Sequence, residues 1–196
     1  MPTGKLPTTR WQLREGDDQK QLQLIRAFGL SPIVSRILTS RDIADIDHAK
    51  RFIFPSLRDL HNPFLMQDMH KAVERLVRAI HRNEKIMIYG DYDADGITSV
   101  VVLFHFIRNI HKNVNYYIPD RIDEGYGLNR KVVESLRAEE VSLIVTVDCG
   151  ISDHEPIAHA ATIGIDTIIL DHHEVSDTLP DAVAVVNPNR TDCRFP

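Results

Sequence analysis

Three stretches of this sequence concentrate side chains able to hold a cation or move a proton. Residues 90–96 read Gly-Asp-Tyr-Asp-Ala-Asp-Gly, with Asp91, Asp93 and Asp95 at alternate positions. Residues 147–150 read Val-Asp-Cys-Gly around Asp148, and residues 171–174 read Asp171-His172-His173-Glu174. Each follows a short apolar run rich in β-branched residues, and Asp120 follows another. Like charges brought together either take up protons or are compensated by cations. Oxygen donors joined by one or two imidazoles and no thiolate suit Mn²⁺ or Mg²⁺ better than structural Zn²⁺. Alternate side chains of an extended segment share a side, so Asp91, Asp93 and Asp95 together could present three carboxylates. Gly96 would let the backbone turn tightly before a helix, whose free N–H groups favour a phosphate oxygen. Carboxylates, a divalent cation and phosphate together describe metal-assisted phosphoester hydrolysis.

Blander readings compete with this one. An EF-hand loop opening at Asp91 needs Glu at its twelfth position, which here is Val102, and the preceding element reads as a strand. Acids at strand ends also cap the helices that follow, which is a sufficient account of Asp120 or Asp153 taken singly. It does not account for three acids in five residues. His172 and His173 could be a solvated pair in a loop, but directly after Asp171 at a strand end they read as site residues.

The elements that must position these side chains follow from apolar periodicity. From Gln19 to about Ser56 apolar residues recur at helical spacing, and Ser31-Pro32 is an N-cap followed by proline at the first helical position. This predicts a small lobe of two or three short helices behind a polar lead-in over residues 1–18. Pro55 through Pro63 marks a boundary. An amphipathic helix is predicted over residues 68–83, with Met69, Ala72, Val73, Leu76, Val77 and Ile80 on one stripe. Strands are expected at 85–89, 114–118, 143–147 and 167–170, with another at 182–186, separated by helices near 97–110, 129–137 and 152–163. Ser152 with Glu155 matches a capping box for the last of these. Alternation in this order predicts an α/β fold, a mostly parallel sheet with helices on both faces. The expected division is a lead-in and helical lobe over residues 1–66 and an α/β domain over residues 67–196. The carboxyl ends of parallel strands share one edge, where ligands bind, so the acidic stretches are expected to converge there.

The chain has 196 residues, 43% of them hydrophobic and 26% charged, which excludes global disorder and a collagen-like repeat. Its ten histidines exceed what packing requires and direct attention to metal or acid–base chemistry. A formal charge of −5 argues against a surface that binds polyanions as a whole. It is compatible with a cation-loaded acidic crevice that presents far less repulsion to phosphate. Cys149 and Cys193 form no CxxC pair, so neither a zinc ribbon nor a disulfide framework is signalled, and a reducing cytoplasm is expected. The N-terminus lacks the apolar core of a signal peptide. The most apolar stretch, residues 97–107, is too short to span a bilayer, so no membrane association is expected.

The motifs GDYDADG, VDCG and Asp171-His172-His173 resemble the first three motifs of the DHH phosphoesterases, in order and each at a strand end. Within that family, GDYDADGITS, DEGYGLN at 123–129 and NPFLMQDMHKAVERL resemble the RecJ branch, bacterial exonucleases specific for single-stranded DNA. This resemblance spans nearly the whole chain. It implies a Rossmann-like DHH domain and 5′-to-3′ exonuclease activity on single-stranded DNA in recombination and repair. It also implies two Mn²⁺ or Mg²⁺ ions and contacts with repair or replication proteins. Carried over residue by residue, Asp93, Asp95, Asp148 and His172 match metal ligands, with Asp148 placed to bridge two ions. His173 matches a position that contacts substrate phosphate. Asp91 and Asp171 match auxiliary acids that orient ligands, and Cys149 is assigned to packing.

The family's fourth motif, its glycine-rich substrate-binding domain and the further nucleic-acid-binding module have no counterpart after His173. The sequence is therefore expected to be the N-terminal part of a longer protein, with an incomplete metal site and weak or absent activity on its own. Relatives in the same family act on oligoribonucleotides, cyclic dinucleotides, 3′-phosphoadenosine phosphate or pyrophosphate. A non-catalytic scaffold that binds DNA or a protein partner is a further reading on the same fold. The filled ligand positions disfavour the scaffold, and the GDYDADG form with its helical lead-in favours the exonuclease.

Overall fold

The computed structural model describes residues 12, 14 and 16–196; most of the polar lead-in read over residues 1–18 lies outside them. The chain divides into two compact units between Leu60 and His61. In the first, α1 (Asp18–Phe28), α2 (Pro32–Thr39) and α3 (Ile46–Ile53) each begin at a residue whose side chain accepts backbone N–H groups: Asp17, Ser31 and Asp45. Such caps satisfy donors that the first turn leaves unpaired. Leu24, Leu38, Ile43 and Ala49 form the core of this unit.

The second unit begins with α4 (Met69–His81) and continues through β1 (Lys85–Gly90), α5 (Ala94–Ile110), β2 (Val114–Tyr117), α6 (Arg130–Ala138), β3 (Val141–Val147), α7 (His154–Thr162), β4 (Asp166–Leu170) and β5 (Ala184–Val186). All five strands are parallel, in the order β2-β1-β3-β4-β5. Side chains alternate across the sheet as its pleat requires. Ile86, Ile88, Leu143 and Val145 pack with Ala72 and Ala79 of α4 and Val100 and Ile107 of α5. Met87, Tyr89 and Ile144 pack on the other side with Val133 and Leu136 of α6 and Ile157 and Ala160 of α7. Both faces are covered, which explains why the strands read as continuous apolar runs. Among the described residues, no helix is long and apolar enough to cross a membrane.

Two local expectations are corrected. Helix α5 starts at Ala94 rather than near residue 97, because the Asp93 side chain accepts from the backbone N–H groups of Asp95 and Gly96. The capping box expected from Ser152 and Glu155 does not form: Asp153 occupies the N-cap position without a capping bond. Its carboxylate instead accepts from the Leu128 N–H at 2.7 Å, and Glu155 pairs with Arg130 at 2.9 Å.

The end of the described chain is fastened to the start of α4 through Arg190, whose buried guanidinium meets Asp68 at 2.7 Å and Asp192 through two bonds of 2.8 and 2.7 Å. Burial pushes the Asp68 carboxyl up, but hydrogen bonds from Lys71 and Arg190 outweigh it and hold the group below its ordinary value. Its contribution is therefore fully present above the unfolded-state value of about 3.9 and is lost as pH falls through the lower folded value. Asp68→Asn keeps a residue tolerant of the left-handed backbone there (φ 61°). We expect it to cost about 2 kcal/mol at pH 7, with the difference from wild type shrinking in acid, as urea unfolding at several pH values would show.

Candidate metal centre

The register of the sheet sets the site. Gly90 pairs with Val147, Val147 with Leu170, and Leu170 with Val186, so the strands end level with one another. The next residues are Asp91, Asp148, Asp171 and Asn187, all buried. Two of them extend the ladder by one rung: the Asp148 N–H donates to Leu170 O at 2.9 Å, and the Asp171 N–H donates to Val186 O at 3.1 Å. The strand order 2-1-3-4-5 changes direction between β1 and β3, the crevice where open α/β sheets bind ligands. Asp91 and Asp148 flank that crevice.

On the β1 side, Asp91 and Asp93 are brought together and Asp95 is not. Oxygens of Asp91, Asp93 and Asp148 lie within 4.8 Å of one another. The alternation expected for three carboxylates holds only while the chain is extended. It fails at Asp95 because Asp93 caps α5 and places Asp95 in its first turn. Two of the N–H groups expected to meet a phosphate are likewise already taken, by Asp93 Oδ1 at 2.9 Å each. Those bonds, from Gly96 first, hold the Asp93 carboxyl below its ordinary range.

Gly96 lies inside the helix rather than in a turn before it. A Cβ there would stand 2.4 Å from the Asp91 carbonyl oxygen and 2.7 Å from its backbone N and C. Glycine is required by close approach of two backbones. Gly96→Ala should therefore displace Asp91 and cost about 3 kcal/mol, measurable as a lowered midpoint of chemical unfolding and as weakened cation binding.

Asp148 sits at the centre. It adopts φ 60°, a left-handed conformation that asparagine and aspartate tolerate better than other side chains. Burial raises its pKa; the negative charge of Asp93 adds to the rise, and a hydrogen bond with His172 opposes it. His172 Nε2 lies 2.8 Å from Asp148 Oδ1. Asp148, His172 and His173 form a second group whose ligand atoms lie within 4.8 Å, so Asp148 belongs to both groups.

Asp171 belongs to neither group and acts as a clasp. Its side chain is fully buried. Oδ2 accepts from the Ile151 N–H at 3.0 Å. Oδ1 accepts from the N–H groups of His172 (2.7 Å) and His173 (3.1 Å), and lies 2.8 Å from His173 Nδ1. An imidazole held at one nitrogen by a carboxylate presents the other in a fixed direction. This contact also raises the pKa of His173.

Several positioning residues had escaped the sequence reading. The Asn187 amide donates to His173 O at 3.0 Å and accepts from the Asn189 N–H at 2.8 Å, while Asn189 donates to His172 O. Together they fix the backbone of both histidines. An Asn-Pro-Asn run directly after the last strand was the available signal. Tyr126 stands edge-on to His173 with ring centroids 6.1 Å apart. Asp120 caps a turn rather than a helix: its Oδ1 accepts from the N–H groups of Ile122 and Asp123, and Asn129 caps α6.

The donor set fits a hard divalent cation. Three carboxylates and two imidazoles converge, and Asp148 is buried among like charges that a cation would compensate. Cys149 lies in the core, its thiol 3.8 Å from Tyr89 O, outside either group.

Comparisons with known proteins agree with this architecture. Residues 85–194 match the profile described as DHH family, N-terminal domain. The chain is 40% identical over 187 residues to the single-stranded-DNA-specific exonuclease RecJ of Bacillus subtilis, covering 95% of this chain and 24% of that protein. It is 39% identical over 168 residues to RecJ of Escherichia coli, covering 85% and 28%. The chain thus spans roughly a quarter of the length of these curated relatives. The crystal structure of exonuclease RecJ bound to manganese superposes with a TM-score of 0.62 at 31% identity, over 68% of this chain and 34% of that one. RecJ of Thermus thermophilus in complex with Mn²⁺ superposes with a TM-score of 0.67 at 24% identity, over 93% and 25%, a likeness of fold. With its motifs at the matching strand ends and more than half its length in the family profile, the chain belongs to the DHH family.

Proposed function

We propose that this chain carries the metal-binding part of a phosphodiesterase that shortens single-stranded DNA from its 5′ end, the polarity the family resemblance implies. The observation that carries the reading is Asp148, shared by two groups of potential ligands at the sheet's switch point. The names of relatives 39–40% identical over the motif-bearing residues support the substrate class, and the manganese of the solved neighbour 31% identical to this chain supports a divalent cation. Two free cysteines are in keeping with a reducing cytoplasm.

In this reading Asp91, Asp93, Asp148 and His172 would hold divalent cations, Asp148 being the side chain common to both groups. Asp95, matched to a ligand by sequence, belongs to neither group, and its position in the first turn of α5 favours a role toward substrate or solvent. When bound, the cations would supply charge stabilisation at the phosphate and at the attacking and leaving oxygens. His173 is held at Nδ1 by Asp171 and turns Nε2 to the substrate phosphate. Tyr126 limits how far the His173 ring can tilt.

Manganese titration by calorimetry together with turnover on 5′-labelled single-stranded DNA tests the reading. We expect binding by the wild type and its loss in Asp148→Ala, with hydrolysis from the 5′ end by the whole protein. Strong preference for dinucleotides would move the substrate to another branch of the family. No manganese binding, or hydrolysis that survives Asp148→Ala, would leave only a scaffold.

A further inference from the structure

Asp153 breaks a local rule. It stands at the N-cap position of α7, where an aspartate ordinarily accepts an N–H group of the first turn, yet it makes no such bond. Its carboxylate reaches back 25 residues instead and accepts from the Leu128 N–H at 2.7 Å. Burial raises its pKa and the charge of Asp171 adds to the rise, while the Leu128 N–H opposes it. A second departure lies against the first. Gly127 adopts φ 81°, and a Cβ there would stand 2.5 and 2.9 Å from the two Asp153 oxygens. From another direction the buried Tyr89 hydroxyl donates to Gly127 O at 2.8 Å, its ring stacked on Tyr117 with centroids 5.4 Å apart. All of these contacts converge on the two residues that follow Tyr126.

Departures from local preference gather where function requires them. The Tyr126 ring stands edge-on to His173, the imidazole clasped by Asp171. We propose that Asp153 is a positioning residue: by holding the Gly127–Leu128 backbone it sets the direction of the Tyr126 ring and, through that ring, the orientation of His173. This rests on the phosphodiesterase reading and adds to it a residue that belongs to neither group of potential cation ligands. Tyr89 shares the task through its bond to Gly127. Ahead of Tyr126, the Glu124 carboxylate accepts from the Tyr117 hydroxyl and from the Asp120 N–H at 2.7 Å, so the segment is held on both sides of the ring.

The test reads His173 first and turnover second. In the 196-residue chain without metal, the ring current of Tyr126 should displace the NMR signals of the His173 ring protons, and Tyr126→Ala should remove that displacement. Asp153→Ala should remove most of it. Asp153→Asn, which still offers Leu128 an accepting oxygen, should keep it. In the whole protein, Asp153→Ala and Tyr126→Ala should each lower kcat on 5′-labelled single-stranded DNA about tenfold, with Mn²⁺ affinity changed by less than about threefold. The double variant should be no worse than either single one, because both substitutions break one route. Asp153→Asn should restore kcat to within about threefold of wild type. Tyr89→Phe keeps the buried ring, deletes only the bond to Gly127 and should lower kcat about threefold, so the test stands even where Asp153→Ala does not fold. His173 signals and kcat that stay at wild-type values in Asp153→Ala or Tyr89→Phe, with only the melting temperature lowered, would overturn the assignment. Losses that multiply in the double variant would do the same. If the wild-type whole protein hydrolyses no single-stranded DNA, the phosphodiesterase reading fails and the turnover role with it, while the His173 signals still decide whether Asp153 orients the ring.

Discussion

Asp148→Asn should lower phosphodiester hydrolysis by roughly 10³-fold or more while raising the melting temperature of the metal-free protein. The two effects have one origin. Asp148 is buried, and burial together with the Asp93 charge works against its ionised form. Asparagine keeps the shape, accepts the left-handed backbone, and removes a carboxylate that the metal-free fold accommodates at a cost. The same change deletes the side chain common to both groups of proposed ligands. Asp148→Ala should lose hydrolysis equally but forgo the stabilisation, because alanine at φ 60° costs about 1 kcal/mol. Melting curves with and without Mn²⁺ separate the cases. The wild type should be stabilised by the ion and the asparagine variant should not. Equal responses to Mn²⁺ in the two proteins would remove Asp148 from the proposed cage.

Asp171→Ala should be the most destabilising single change at the site. It leaves the buried Ile151 N–H, the part-buried N–H groups of His172 and His173 and the His173 ring nitrogen without the buried acceptor they share. The expected cost is about 3 kcal/mol or more, with cation affinity reduced by about 10–100-fold through lost orientation of the histidines. Asp171→Asn retains one accepting oxygen and should recover part of both. Burial pushes the Asp171 carboxyl up, but the bonds from His173 and the backbone N–H groups prevail and hold it below its ordinary value. Its contribution is thus present above about pH 3.9 and declines as pH falls through the lower folded value. The stability gap between wild type and Asp171→Asn should narrow between pH 5 and strongly acid solution, as denaturant titrations at fixed pH would measure.

The strands and the layer order were readable because a parallel sheet buried on both faces demands uninterrupted β-branched runs, and helices α4 and α6 declare a single apolar stripe. Convergence of Asp91, Asp148 and Asp171 was readable for the same reason, since parallel strands end on one edge. The sorting of acids within that edge was not. Asp93 and Asp95 look equivalent by spacing, yet the Asp93 oxygen reaches two backbone N–H groups and thereby starts α5, which carries Asp95 away from the group. The opposite error occurred at Ser152 and Glu155. That pattern is sound locally, but the Leu128 N–H and Arg130 draw Asp153 and Glu155 into longer-range bonds. Asn187 and Asn189 carry no titratable group and were passed over, although the histidine backbone hangs on their amides. At Asp93 the choice is made locally, two and three residues on, whereas at Asp153, Glu155, Asn187 and Asn189 a partner 14 to 25 residues away decides it.

The extra rungs at the ends of β3 and β4 also govern when the centre comes into being. Asp148 is fastened by its N–H to the end of β4, and Asp171 by its N–H to the end of β5, so the acidic row is complete only after the last strand has docked. Long-range parallel pairing is slow to form, and a cation that recognises only the finished row contributes nothing before the rate-limiting barrier. Mn²⁺ should therefore leave the refolding arm of a chevron plot unchanged and slow the unfolding arm alone. During synthesis, a nascent chain would acquire the ion only once Val186 has emerged and paired, so capture of the metal would follow docking of β5.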